Sequence, residues 1–97
     1  MRFEWDPRKN RANRRKHGVS FEEASCLLEG RRDFLEIFDE AHSEREDRLI
    51  AIGWIQRGMI VVVYTEAPDD VIRILSARMA TAKERRLFEE YWRKHHG

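Results

Sequence analysis

The chain has 97 residues, of which 41% are hydrophobic and 38% are charged, and its formal net charge is +1. This length predicts a single domain over residues 1–97 with a core of modest size. No apolar run reaches the ~20 residues of a membrane-spanning helix, and no signal-peptide pattern opens the chain. The single cysteine, Cys26, excludes an internal disulfide. The sequence therefore predicts a cytoplasmic protein with no membrane partner.

The charges are distributed unevenly along the chain. Residues 2–16 carry seven basic and two acidic side chains, whereas residues 22–47 carry three basic and ten acidic ones. Residues 71–97 are again basic, with seven basic and three acidic side chains. Basic ends around an acidic middle are typical of a nucleic-acid surface combined with a separate protein surface. Ion pairs between the ends and the middle would explain the same pattern.

The first elements are a short strand, RFEW, and a helix that follows it. The helix begins with the pair Asp-Pro, which suits an N-cap and a first turn, and Gly18 suits its end. It contains very few apolar residues, so we expect it on the surface. Ala12 and the side of Asn10 or Asn13 are expected to face inward.

A second helix is predicted from the segment SFEEASCLLEG. Ser20 and Glu23 have the spacing of a capping box, in which each side chain accepts a hydrogen bond from the other's backbone N–H, and Gly30 ends the helix. The expected buried stripe consists of Phe21, Ala24, Cys26, Leu27 and Leu28. On this reading Cys26 is a core thiol and not a nucleophile.

The rest of the chain alternates with period two and then returns to a helical pattern. A capping box formed by Thr81 and Glu84 opens the last helix, which should end near Lys94. The predicted strands are Asp33–Asp39, Asp47–Ile55, Met59–Glu66 and Val71–Arg78. The third of these is almost wholly apolar and β-branched, so we expect it at the centre of the sheet. The order β-α-α-β-β-β-β-α with hairpin links predicts an α+β fold with an antiparallel sheet.

The last predicted strand carries two arginines among apolar residues. Strict alternation, with no bulge expected, places Ser76 and Arg78 on one face and Arg73 on the other. These three side chains, Arg48 and the start of the last helix could converge on an anion, and guanidinium groups bind phosphate through paired hydrogen bonds. In the alternative reading the arginines form ion pairs with carboxylates nearby, for which the candidates are Glu66, Asp69, Glu84 and Glu46.

Other side chains offer proton transfer or stacking. His42 lies in a polar segment with Glu46 and is a candidate general acid or base, although a solvated loop histidine is the commoner outcome. Tyr64 and Trp54 could stack on bases, but such residues more often belong to the core. The histidines and the cysteine show no metal-ligand spacing, so no metal or cofactor is expected.

Three segments in order resemble one known family. They are FEWDPRKNRANRRKHGVSFEEA, HSEREDRLIAIGW, and VVVYTE followed by IRILSARMATAKER. Together they resemble the BrnT family, the toxins of type II toxin–antitoxin modules with a RelE-like ribonuclease fold. The likeness extends from Phe3 to about Tyr91.

The resemblance implies a metal-independent endoribonuclease that blocks translation. It also implies a BrnA-like antitoxin with a ribbon-helix-helix part, which forms a hetero-oligomer with the toxin and binds operator DNA. The family's motifs fall here on six active-site candidates: Arg73, Ser76, Arg78, His42, Glu46 and Arg48. The expected substrate-binding residues are Tyr64 and Lys83.

Two other functions remain open from the sequence. One is a non-catalytic module that uses its basic ends to bind nucleic acid or an acidic protein, for which salt-sensitive binding without new RNA ends is the signature. The other is a structural protein-interaction domain, which would show neither nucleic-acid binding nor RNA cleavage.

Overall fold

The computed structural model describes residues 1–30, 33–42 and 47–96. The elements in chain order are β1 (Arg2–Glu4), α1 (Pro7–His17), α2 (Phe21–Glu29), β2 (Phe34–Phe38), a 3-10 turn (Glu40–His42), β3 (Arg48–Ile55), β4 (Gly58–Ala67), β5 (Val71–Met79) and α3 (Ala82–His96). This order confirms the predicted β-α-α-β-β-β-β-α pattern and the α+β class.

One five-stranded sheet organises the domain, with the strand order β1-β5-β4-β3-β2. The apolar strand β4 lies at its centre, as predicted. Strands β2 to β5 are antiparallel to their neighbours. β1, however, pairs in parallel with β5, with Phe3 beside Ile72 and Glu4 beside Arg73. The sheet is therefore mixed, which the hairpin pattern could not show because β1 and β5 are at opposite ends of the sequence.

The two faces of the sheet bury different helices. On the first face α2 packs over a cluster that includes Phe21, Leu27, Ile60, Val62 and Tyr64. On the opposite face only Phe88 of α3 is buried, against Ile52, Met59 and Val61. The first face holds most of the buried apolar side chains, so the packing of α1 and α2 contributes more to stability than the packing of α3 does.

α1 is held in place by two buried asparagines and not by apolar side chains: Asn13 bonds to the sheet, and Asn10 bonds to α2. Asn13 donates from Nδ2 to the carbonyls of Val19 and Ala77, at 2.8 and 2.7 Å, and its Oδ1 accepts from the N–H of Ala77. Asn10 accepts from the N–H of Phe21 at 2.8 Å. Both asparagines are buried, as one part of the prediction had it, whereas Ala12 is exposed on the opposite side of the helix.

The caps of α2 and α3 form as predicted. Ser20 and Glu23 make the reciprocal capping box of α2. Thr81 and Glu84 make the same pair of bonds at α3, at 2.8 and 3.2 Å. The prediction for Cys26 was wrong, because its thiol is exposed. Positions two apart on a helix point about 200° from each other, so Cys26 cannot share the buried side that holds Ala24 and Leu28.

Candidate active site on the arginine face of the sheet

A bulge in β5 decides which side chains share a face. Val63 of β4 pairs with Ser76, but the next residue, Tyr64, pairs with Ile74, so Leu75 is an extra residue in β5. The extra residue reverses the alternation at that point. Strict alternation therefore failed for this strand. Ile74 and Ala77 both contribute to the core under α1 and α2.

The bulge brings the two arginines of β5 to one face. Ile72, Ile74 and Ala77 point towards α1 and α2, so Arg73, Ser76 and Arg78 must point to the other side. We call this side the arginine face. The sequence had placed Arg73 on the face opposite to the other two.

A row of paired residues crosses the arginine face. Arg48 pairs with Thr65, Thr65 pairs with Arg73, and Arg73 pairs with Glu4. Adjacent strands lie about 4.8 Å apart, so the Cα atoms of Arg48 and Arg73 are roughly 10 Å apart, with Thr65 between them. Ser76 lies one row farther along, roughly 7 Å away at two residues per row. Two guanidinium groups, a hydroxyl and Ser76 thus surround one patch of the sheet.

α3 leaves this patch open. Its buried residue, Phe88, lies over Ile52, Met59 and Val61, at the other end of the same face. Its C-terminal half borders a groove of about 660 Å³ together with Asp33 and Trp54. The residues around the arginine row are only partly covered, since Ile50, Val63 and Ser76 are all of intermediate exposure. Arg73 is exposed, and Arg48 and Ser76 are partly exposed, so a ligand can reach these side chains, whereas Thr65 between them is buried.

Thr65 is a member of this site that the sequence analysis missed. It is 2% exposed, and its hydroxyl has no hydrogen-bond partner among the described residues. A buried hydroxyl normally has one, and an unsatisfied one costs free energy. Its signal in the sequence was a polar side chain at an inward position of an otherwise apolar strand.

Arg73 is paired with a carboxylate at the open edge of the sheet. Its Nε donates to Glu4 at 2.8 Å, and both side chains are about half exposed, at 52% and 43%. Glu4 was not among the carboxylates expected for this arginine. An exposed pair of this kind contributes little to stability, so a phosphate can compete for Arg73.

Arg78 is held differently. Its two terminal nitrogens each donate to one oxygen of Glu84 at 2.7 Å, which is the bidentate arrangement. The bond from Arg78 lowers the pKa of Glu84 to about 2. Glu84 also caps α3 through Thr81. This pairing was one of the sequence alternatives, and it gives Arg78 a structural role in joining β5 to α3.

The proton-transfer candidates lie in the connection between β2 and β3. His42 ends the 3-10 turn, and Glu46 lies outside the described residues. The connection begins beside Arg48, where the N–H of Asp39 donates to the carbonyl of Arg48 at 2.8 Å. The 3-10 turn follows Asp39 directly, so His42 lies near the end of the sheet where Arg48 begins β3.

The two predicted substrate-binding residues are not part of the row. Tyr64 is 2% exposed and points to the α1–α2 face, where its hydroxyl donates to Glu36. Burial and this bond raise the pKa of Tyr64. Lys83 is exposed in the first turn of α3. Trp54 is 56% exposed, but it lies six residues from Arg48 along β3, roughly 20 Å away.

Within the described ranges, no group of three His, Cys, Asp or Glu side chains is placed to hold a metal ion. In the same part of the chain, no helix is both long and apolar enough to cross a membrane.

Comparison with known proteins identifies the family. Residues 5–84 match the family model described as the ribonuclease toxin BrnT of type II toxin–antitoxin systems. The chain belongs to the BrnT family. The fold also matches the crystal structure of the Brucella abortus ribonuclease toxin BrnT, with a TM-score of 0.66, 26% sequence identity, and coverage of 84% of this chain and 97% of that one. A comparison with curated proteins found no match.

Family membership confirms the main functional prediction. This BrnT-family chain is a ribonuclease toxin, and its partners are an RNA substrate and an antitoxin. The family match covers most of the arginine face, including Arg48, Thr65, Arg73, Ser76 and Arg78. The RelE-like description of the fold stays a prediction.

Proposed function

We propose that this chain is a metal-independent endoribonuclease that blocks translation by cutting RNA at the arginine face. The observation that carries the proposal is the row formed by Arg48, Thr65 and Arg73 on three adjacent strands, with Ser76 one row away. Two fixed guanidinium groups about 10 Å apart at the backbone can close on a phosphodiester between them.

The chemistry that suits this site is internal transfer. The 2′-oxygen of the RNA attacks the adjacent phosphorus and loses its proton, and the bond from phosphorus to the 5′-oxygen breaks as that oxygen gains a proton. The products are a 2′,3′-cyclic phosphate and a 5′-hydroxyl. Arg48 and Arg73 stabilise the extra negative charge of the pentacovalent phosphorus, which is the largest contribution in reactions of this type. The hydroxyl of Ser76, which is partly exposed, can donate to a phosphate oxygen.

His42 or Glu46 supplies the proton transfer in this proposal. The segment that carries both residues begins and ends at the end of the sheet where Arg48 lies. A positioned acid or base contributes about 10²–10⁴-fold to the rate. Arg78 acts as a positioning residue, since Glu84 holds its guanidinium at the junction with α3.

The antitoxin of this proposal is BrnA-like, with a ribbon-helix-helix part that binds operator DNA. We propose that it inhibits by covering the arginine face, because occlusion of the cleavage site is the simplest route to neutralisation. A toxin–antitoxin complex that still cuts RNA would contradict this part.

The test uses purified protein, a defined RNA and excess EDTA. The expected result is cleavage that persists in EDTA and leaves 2′,3′-cyclic phosphate ends. Loss of cleavage on chelation, with recovery on adding Mg²⁺, would refute metal independence. Salt-sensitive RNA binding without new ends in any condition would support the non-catalytic alternative instead.

A further inference from the structure

The most strongly charged surface of the molecule is not the arginine face. α1 carries six cations among eleven residues and no acidic side chain, and all six are exposed: Arg8, Lys9, Arg11, Arg14, Arg15 and Lys16. The helix lies on the side of the sheet opposite to the proposed cleavage site. Its charge is therefore not explained by that site.

Three of these arginines form a continuous stripe. Asn10 and Asn13 face the protein, so the helical period places Arg8, Arg11 and Arg15 on the outward side. Over its seven-residue span the stripe is roughly 10 Å long. We call these three residues the α1 stripe.

The fold does not neutralise the α1 stripe. Elsewhere in the described chain Arg57, Arg73 and Arg78 are each within 3 Å of a carboxylate oxygen, at 2.7, 2.5 and 2.7 Å. Within the same described residues, no ion pair involves the stripe. Arg8 lies in the first turn, where the helix dipole disfavours positive charge, and neighbours three and four residues apart repel each other. An arrangement that opposes helix stability fits a surface whose charge is met by a polyanion.

A groove connects the stripe's helix with the arginine face. It has a volume of about 460 Å³ at the β1 edge of the sheet, and both Lys9 of α1 and Arg73 of β5 line it. Trp5 contributes an aromatic side chain, and the carboxylates of Glu4 and Asp6 lie there too. A single strand passing round this edge would meet cations on both sides of the sheet.

We propose that the α1 stripe binds the phosphate backbone of the RNA substrate away from the cleavage point, and that the strand reaches Arg73 through the groove at the β1 edge. The far end of this path rests on the proposed cleavage at the arginine face. Binding by the stripe is independent of that reaction and can be measured without it. RNA is favoured as the occupant because it is the polyanion that a ribonuclease must hold.

The test compares two variants that lose the same charge. The first variant replaces Arg8, Arg11 and Arg15 by Gln. The control variant replaces three exposed cations of α3 by Gln: Arg85, Arg86 and Lys94. The probe is a short single-stranded 2′-O-methylated RNA, which lacks the attacking hydroxyl and stays intact. Fluorescence anisotropy over a salt series gives the slope of log affinity against log salt concentration.

The stripe variant is expected to lower that slope by about 2, which is about 0.7 for each of three lost phosphate contacts, and the α3 control by much less. Replacement of the same three arginines by lysine keeps the charge and should preserve the slope. This result would show that charge, and not another property of arginine, causes the effect. Equal losses in the two Gln variants would mean that only net charge matters and would overturn the proposal. Intact RNA binding with loss of the antitoxin complex would overturn it as well, by assigning the stripe to the antitoxin.

Cleavage assays separate this inference from the proposed function. With a long RNA, the stripe variant should have a higher KM and an unchanged kcat. With a dinucleotide, which is too short to reach α1 from the arginine face, kcat/KM should equal that of the wild type. If the wild type cuts neither substrate, the proposed function fails, and the salt series still decides whether the stripe binds RNA.

Discussion

Arg73 and Arg78 are five residues apart on one strand and face the same side of the sheet, but they pair with different carboxylates. Arg73 meets Glu4 at an exposed edge, whereas Arg78 makes a bidentate pair with the half-buried carboxylate that caps α3. An exposed pair such as Arg73–Glu4 contributes well under about 1 kcal/mol, and the bidentate Arg78–Glu84 pair, which also fixes a helix start, contributes about 1 kcal/mol. In the proposed mechanism Arg73 therefore stabilises charge and Arg78 acts as a positioning residue.

Alanine variants should separate these two roles. Arg73→Ala is expected to abolish growth arrest on expression with little change in Tm. Arg78→Ala should also lose about 1 kcal/mol of stability, which for a domain of this size lowers Tm by about 4–8 °C. Glu84→Gln provides the control, because it loosens Arg78 without removing it and should reproduce the stability loss. Full toxicity in both alanine variants would show that the site is elsewhere.

The pH dependence of stability follows from the same carboxylate. The hydrogen bond from Arg78 lowers the pKa of Glu84 from 4.5 to about 2, and the bond from Arg57 does the same for Glu23. A carboxylate whose pKa is depressed on folding stabilises the protein above its unfolded pKa, and this contribution is lost as the pH falls from about 4.5 to 2.

Urea unfolding at pH 6, 4 and 2.5 measures this effect, because these pH values run from above the unfolded pKa of about 4.5 towards the folded pKa of about 2. Wild-type stability should fall across the series, and Glu84→Gln should remove about 1 kcal/mol of the fall, since partial exposure screens the pair. An identical fall in the variant would show that the Arg78–Glu84 pair does not contribute in solution.

At the level of elements, α1 is held against the sheet by hydrogen bonds from a buried side chain, that of Asn13. Asn13 satisfies the N–H and carbonyl of Ala77 and the carbonyl of Val19. Asn13→Ala should cost about 2–4 kcal/mol, because buried backbone groups lose their partners. Thermal unfolding of Ala12→Ser, an exposed neighbour, should stay within about 0.5 kcal/mol of the wild type and is the control. A small loss for Asn13→Ala would mean that water replaces the amide.

The sequence predicted the helices and strands well, but it predicted less well how the strands pair and which face each side chain occupies. Capping residues, apolar alternation and turn signals are local, so all eight helices and strands and the central position of β4 were predicted. The parallel pairing of β1 with β5, and with it the Glu4–Arg73 pair, depends on contacts between distant segments. The bulge at Leu75 adds one residue without any glycine or proline signal, so alternation assigned Arg73 to the wrong face.

At the scale of the whole molecule, the sheet separates two charged surfaces. Arg48, Thr65 and Arg73 lie on one side, and the α1 stripe lies on the other, with the groove at the β1 edge between them. The arginines and Ser76 of the first surface were predicted both from the residues of the last strand and from the family resemblance. It missed Thr65 and included Tyr64, because burial and facing depend on how the whole sheet is assembled.

The most direct test of the cleavage site is the single-turnover rate of RNA cleavage at saturating enzyme in EDTA. The variant combines Arg48→Gln with Arg73→Gln, and Arg86→Gln on the exposed side of α3 is the control. The double variant is expected to be at least about 100-fold slower than the wild type, since each arginine stabilises the transition state, while the control keeps the wild-type rate. A double variant that binds RNA and cuts it at the wild-type rate would contradict the account.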